Sequence, residues 1–505
     1  MTLLNDEPLL THDETECHAD PRSGAPLYER LAEHYRWVIA SGTLAPGDRM
    51  PSVRALMSQH RVSLSTAIQV FRRLEDGGWL QARPRAGYFV RRPGASKLAT
   101  VAEPDIPALP EPARYVGLHE RISRVIERAQ AFPDALNLGG ATADAALYPT
   151  GRLQALASRI LRHKPTLLTE VGEDGGAAEL RQAVAKRALS SGVTVSPDDV
   201  LVTSGGVEAV NLALRAVAQP GDTIAVESPA FFGLLQILES LGLRALEIPT
   251  SPTTGLSLEA LDIALTACPD LKALVVVPNL QNPLGCVMPD ARKAELVELC
   301  ARRGIALIED EPYRELIEPA QRAQRAQPAR PLKSWDRDGG VIYCASLNKV
   351  LAPGMRLGWM SSGRWHARVR LLKFAQTRHN ESLAQFVAAE FIGSGAYDRH
   401  LHRLREKLRV QREASADAIG RYFPTGTRLN LPPGGLLLWV ALPHGKSSDT
   451  LFEAALPHGI RIAPGSIFSN SERFRSFIRL SCPAPFDERM DAAFLQLGRL
   501  AADLG

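Results

Sequence analysis

From about residue 119 onward the chain alternates helical patterns with short apolar runs, and this alternation restricts its architecture more than any other feature. The runs are Asp199–Thr203, Thr223–Val226, Ala245–Ile248, Lys272–Val277, Ile305–Glu309, Val341–Cys344 and Arg356–Met360. Strands separated by helices predict an α/β domain on a mostly parallel sheet, because a parallel neighbour needs a crossover long enough to hold a helix. Ligands of such sheets gather at the carboxyl ends of the strands. The residues just after each run are therefore the ones that matter for chemistry.

Those residues are polar. Thr203-Ser204-Gly205-Gly206 opens a helix at Val207, where free amides and the helix dipole suit an anion. Phe231, in Glu227-Ser228-Pro229-Ala230-Phe231, is placed to stack on a flat ring. Asn279-Leu280-Gln281-Asn282-Pro283 ends an apolar strand with amides, and Glu309-Asp310-Glu311-Pro312-Tyr313 ends another with carboxylates and a phenol. Ser346-Leu347-Asn348-Lys349 follows VIYCA, with Arg356 seven residues beyond the lysine. Singly, each has an ordinary explanation: a turn, a core aromatic, a buried acid with a partner.

In order and spacing the series SGG, ESPAFFG, PNLQNPLG, DEPY, SLNK, PGMRLG and RLS resembles the fold-type I pyridoxal-phosphate enzymes of the aminotransferase class, over roughly residues 119 to 500. The resemblance implies pyridoxal 5'-phosphate as cofactor, with Lys349 forming the internal aldimine and Asp310 paired with the pyridine nitrogen. It further implies Asn282 and Tyr313 at the phenolic oxygen, Phe231 on the ring, and Ser204, Gly205, Ser346 and Arg356 around the phosphate. Lys349, Asp310 and Tyr313 are then the catalytic group. Arg479, in FIRLSCP, matches the arginine that takes a substrate or effector α-carboxylate; an ion pair is its alternative reading. A guanidinium offers the bidentate fork that such a carboxylate needs. Two positions depart from the pattern. Val171 stands where relatives place a Tyr that reaches the neighbouring subunit's phosphate, and Asn348 where a Ser is frequent.

The net charge of +4 conceals an asymmetry: residues 26 to 92 hold eleven Arg against five acidic residues. A basic module on an otherwise balanced chain is the footprint of a nucleic-acid partner. Leu31, Tyr35, Val38 and Ile39 place a helix over Leu27–Ala40, stopped by Gly42 and Pro46-Gly47. A short second helix runs from Pro51-Ser52 through Gln59, a third from Ser63 to Glu75, and Trp79–Ala82 with Tyr88–Val90 forms a two-stranded wing with a basic tip. PLYERLAEHYRWVIASGTLAPGDRMPSVRAL and VSLSTAIQVFRRLEDGGWLQARPRAGYFV are similar to the GntR-type winged helix. This implies Arg54, Ser63, Ser65 and Thr66 at phosphates and base edges, and Gly87 at the minor groove. Leu64 stands where that family often has Arg, which puts a guanine contact there in doubt; Leu64 could instead touch a thymine methyl.

The expected organisation is multi-domain. It comprises an acidic, disordered tail over 1–23, a winged helix-turn-helix (α+β) over 24–92, a Pro-rich linker over 93–118, and an α/β aminotransferase-like domain over 119–505. Residues 318 to 331 read as a biased loop. The first twenty residues carry six acids and no Lys or Arg, unlike a signal peptide, and no run of eighteen apolar residues occurs, so a cytoplasmic protein without a membrane partner is expected. The six cysteines lack metal-ligand spacing, and no metal site is expected. A GntR-type domain followed by an aminotransferase-like domain is the arrangement of the MocR regulators. That resemblance implies a homodimer on a double-stranded DNA operator, sensing an amino acid, an amine or the cofactor itself through aldimine chemistry. An active aminotransferase carrying an accessory DNA-binding domain is the other reading.

Overall fold

The computed structural model describes residues 26–90 apart from 46, 77, 78 and 84–86, together with 98–101, 118–318, 329–443 and 445–504. The acidic tail, the wing tip at 84–86, most of the 93–118 stretch and most of the biased loop lie outside these. The chain divides into two compact units, Met1–Ala95 and Ser96–Gly505.

In the first unit, α1 (Leu27–Ala40), α2 (Val53–His60) and α3 (Leu64–Asp76) precede strands β1 (Leu80–Arg83) and β2 (Gly87–Val90), which pair antiparallel. Helix α2 starts at Val53, with Ser52, suited by its hydroxyl to that place, as the N-cap that accepts from the Ala55 amide at 3.1 Å. Ser63 likewise caps α3 instead of starting it, accepting from the Thr66 amide at 3.2 Å. Leu31, Tyr35 and Ile39 of α1 meet Leu56, Val70, Phe71, Leu74, Leu80 and Val90 in one core.

In the second unit, α4 (Leu118–Gln130) leads into β3 (Leu136–Asn137). A large sheet follows, made of β4 (Val200–Thr203), β5 (Thr223–Ser228), β6 (Arg244–Ser251), β7 (Gly255–Leu256), β8 (Leu271–Val276), β9 (Ala306–Glu311), β10 (Val341–Ser346) and β11 (Gly358–Ser361). Its order is β4-β11-β10-β9-β8-β5-β6-β7. The central strands run parallel, while β11 is antiparallel to both β10 and β4. Val226, Val275, Ile308 and Ile342 feed the core on one face, Ala225, Leu274, Leu307 and Val341 that on the other. Burial on both faces explains why the strands read as unbroken apolar runs. The strand expected from Arg356 starts at Gly358, because Arg356 is held at φ 51° just after a short turn of helix.

A second, antiparallel sheet contains β12 (Arg428–Leu429), β13 (Leu437–Ala441), β15 (Ala463–Pro464) and β16 (Phe477–Ser481), while β14 (Ile460–Arg461) pairs with β3. The linker expected over 93–118 is not one uninterrupted tether. Ala99 bridges Arg428 in parallel, its carbonyl accepts from the Leu429 amide at 3.1 Å, and the Val101 amide donates to Asn430 Oδ1 at 3.0 Å. Leu98 and Val101 supply the apolar side chains that pack there, which the surrounding prolines obscure in the sequence.

Candidate functional site

The polar segments at the strand ends converge. Gly205 sits at φ 85° just ahead of the helix Gly206–Val217, and a Cβ there would lie 2.8 Å from Asn348 Nδ2, so only glycine fits. The same construction at Gly206 places its Cβ position 3.5 Å from both Asp310 Oδ1 and the Ser346 side chain. Arg356 Nη2 reaches the Ser204 carbonyl at 3.4 Å, and Ser346 Oγ accepts from the Asn348 amide at 3.2 Å. The structure thus brings Ser204, Gly205, Asp310, Ser346, Asn348 and Arg356 around one space. The Ser204 amide is already taken by the Glu208 carboxylate. An anion here would meet the Ser204 hydroxyl and the amides of Gly205 and Gly206.

Lys349 lies across that space, with Nζ 3.2 Å from Thr142 Oγ1. Burial, reinforced by the Arg479 and Arg356 guanidiniums, pushes its ammonium down to about 8, while Asp310 opposes the shift. The free amine, the nucleophilic form, is then present near pH 8, well below the ordinary lysine value of 10.5. Burial, with Glu311 next in the chain, raises the Asp310 carboxyl to about 7. Tyr313 is buried and faces Asn282 and Arg479, and burial pushes its phenol up to about 12.

Arg479 is 2 % exposed. Nη1 donates to Asn282 Oδ1 at 2.9 Å and Nη2 to the Gly139 carbonyl, and the guanidinium sits 5.0 Å from the Phe468 ring and 5.9 Å from that of Phe232. No carboxylate pairs with it among the described residues, so the ion-pair alternative is set aside. Burial lowers it to about 10. Phe231 is half-buried, its ring 4.9 Å from Phe232. Val171 stands out in solvent at 81 % exposure.

Pyridoxal 5'-phosphate fits these residues. Asp310 Oδ1 is buried without a hydrogen-bond partner, as a carboxylate awaiting a protonated ring nitrogen would be, and Asn348 Oδ1 and Arg479 Nε are in the same condition. Three contacts were given no role in the sequence reading. Thr142 stands in a loop with no periodicity, and Asn380 donates to Ser204 Oγ at 2.9 Å. Glu247, on β6, accepts from Ser228 Oγ and Ser469 Oγ at 2.6 Å and from the Asn470 amide at 2.8 Å, tying the segment before Phe231 to the one after Phe468.

In the first unit, Arg54 is exposed in the first turn of α2. Ser63 Oγ lies 2.8 Å from Ser65 Oγ and 2.9 Å from Thr66 Oγ1, a hydroxyl cluster at the α3 N-terminus. Gly87 has φ 99°, and the Arg49 guanidinium passes 3.5 Å from where its Cβ would stand, which adds a basic group to the wing.

Residues 144–496 match the family of aminotransferases of class I and II, and residues 27–90 the gntR family of bacterial regulatory proteins. An uncharacterised HTH-type transcriptional regulator of Escherichia coli, YdcR, is 36 % identical over 94 % of this chain and 98 % of its own length. The structure of LysN, an α-aminoadipate aminotransferase of Thermus thermophilus complexed with N-(5'-phosphopyridoxyl)-L-leucine, superposes with a TM-score of 0.67 at 27 % identity, covering 76 % of this chain and 98 % of that one. A kynurenine aminotransferase of Pyrococcus horikoshii shares the fold with a TM-score of 0.69 at 24 % identity, over 76 % and 94 % of the two chains. Its winged helix, its pyridoxal-phosphate site and its end-to-end similarity to such regulators place this chain in the MocR-type family of HTH transcription regulators, GntR-type domain and class I and II aminotransferase domain together.

Proposed function

We propose that the protein is a ligand-responsive regulator that works in the cytoplasm as a homodimer on a double-stranded operator and responds to an amino acid, an amine or pyridoxal 5'-phosphate itself. Lys349, Asp310, Asn282, Tyr313, Phe231, Ser204, Gly205, Ser346 and Arg356 would hold the cofactor. When bound, it supplies an electron-accepting ring and a carbonyl reactive toward primary amines. Asp310 would sit beside the ring nitrogen and hold the shared proton there, and Lys349 would present a free amine. Arg479 orients a carboxylate-bearing ligand by its guanidinium fork. The observation that carries the reading is that guanidinium: buried, cationic and without an acidic partner among the described residues. A cation left so has most to gain from an anionic ligand. The homodimer is supported by apolar side chains in solvent around the site, Leu168 and Val171 beside Arg378–Asn380 and Phe374 on the neighbouring helix.

Response requires that the ligand bind two states of the protein unequally. The test follows the absorbance of the cofactor-loaded, full-length protein against a panel of amino acids, amines and oxo acids, with operator affinity read in parallel. One compound is expected to change both, moving operator affinity by about 5- to 150-fold. Steady turnover of an amino donor with an oxo acid at unchanged DNA affinity would instead make the protein an aminotransferase with an accessory DNA-binding domain. The intact set of Lys349, Asp310 and Arg479 keeps that outcome in play.

A further inference from the structure

Helix α3 divides cleanly. Ala67, Val70, Phe71 and Leu74 are buried in the core of the first unit, while Leu64, Ser65, Ile68, Gln69 and Arg72 face solvent. Two of the exposed residues are apolar, Leu64 at 53 % and Ile68 at 36 % exposure. Four positions apart, they stand one above the other along the helix, with Ser65 and Gln69 in the adjacent row. Single apolar side chains on a surface need no explanation, but this pair occupies the outward face of the second helix of a helix-turn-helix, starting at its capped N-terminus.

We propose that Leu64 and Ile68 read the methyl groups of two thymines, and Gln69 a neighbouring adenine, in the major groove, so that the operator half-site is selected for A·T pairs there and not for guanine. This rests on the assignment of the first unit as the DNA-binding domain and adds the base class it selects. Thymine is the base that offers a methyl group in the major groove; adenine offers a donor and an acceptor that one glutamine amide satisfies together. Leucine and isoleucine have no polar atom for guanine O6 and N7 or the cytosine amine, and covering those edges would strip their water without replacing it. One helical turn rises about 5.4 Å, so the two side chains address bases within about two 3.4 Å steps of each other. Duplex DNA, not an apolar protein surface, is the occupant that the charge selects, given eleven Arg against five acids over residues 26 to 92. The Ser63, Ser65 and Thr66 hydroxyls at the same end suit its phosphates.

The test uses the full-length, cofactor-loaded protein to enrich 30-base-pair duplexes from a random pool, then measures affinity for the winning duplex with each thymine replaced in turn by uracil, which removes only the methyl. The expected half-site carries A·T pairs at the contacted positions. Two uracil replacements per half-site, one beneath each side chain, lower affinity about fourfold each. Leu64→Ala and Ile68→Ala should each bind the thymine duplex and its matching uracil duplex alike, with the salt dependence of binding unchanged. Both side chains are exposed, so the variants keep their core, and an unshifted thermal transition verifies it. Guanines enriched at the contacted positions, equal affinity for thymine and uracil, or discrimination that Leu64→Ala and Ile68→Ala both leave intact at every thymine would each overturn the proposal. So would variants that alter self-association and leave DNA affinity intact. Salt-dependent binding without any enriched sequence would bring down the sequence-specific regulator as well, and is distinguishable from these outcomes.

Discussion

Arg479 Nη1 donates to Asn282 Oδ1 at 2.9 Å, so the residue expected at the ring oxygen is fastened to the residue expected at the ligand carboxylate. Replacing Arg479 by Lys keeps the charge and removes the fork. Affinity of the cofactor-loaded protein for amino acids should fall about 10- to 100-fold, with simple amines little affected, as titration of the absorbance spectrum will show.

Asp310 makes the cofactor-free protein sensitive to pH. Its carboxyl lies near 7 in the folded chain against an ordinary value of 3.8, so the folded state holds a proton that the unfolded state releases between these values. Stability from this group is therefore undiminished at acid pH and lost as pH rises toward 7. Asp310→Asn should stabilise the cofactor-free protein at pH 8, by at most about 4 kcal/mol, with the gain shrinking toward pH 4. Thermal melts across that range read it directly. The same variant should bind pyridoxal 5'-phosphate more weakly.

Lys349 is already a partly free amine near pH 8. The rate at which the protein takes up pyridoxal 5'-phosphate covalently should climb through pH 8 and not through the ordinary lysine value of 10.5. Lys349→Ala should abolish that attachment and the ligand response, while basal operator binding in a gel-shift experiment stays as it was.

The Ser63 hydroxyl meets the Thr66 amide, Ser65 Oγ and Thr66 Oγ1 at once. Ser63→Ala should cost about 1 kcal/mol in the unfolding of the winged-helix unit and weaken DNA binding. Ser63→Asp should restore the cap and the stability but not the DNA affinity, because its charge repels phosphate.

The sequence exposed what repeats and what stands at a strand end. The buried strands of the large sheet show as apolar runs because both faces are covered, and Ser204, Asn282, Asp310 and Lys349 stand out because each interrupts or follows such a run. The antiparallel sheet was less legible: β13 and β16 are buried throughout, and nothing in LLWVA or FIRLS tells a strand from a stretch of buried helix. Thr142 and Glu247 were out of reach because their partners lie far along the chain, Lys349 at 207 residues from Thr142 and Ser469 at 222 from Glu247. Arg49 precedes the helix-turn-helix, and only the pairing with Phe89 brings it to the wing.

The short contact made by Ala99 bears on where this protein can be cut. Strand β12 is one of the two edge strands of its sheet, and an edge strand left bare displays amides and carbonyls that invite pairing between molecules. Ala99 and its neighbours occupy that border. A fragment beginning at α4 would keep every strand of both sheets and still leave β12 unguarded, prone to stacking edge to edge. One beginning ahead of Leu98 carries its own guard. What makes the pyridoxal-phosphate unit self-sufficient is thus a stretch of chain that, by its prolines, looks as though it belongs to neither half.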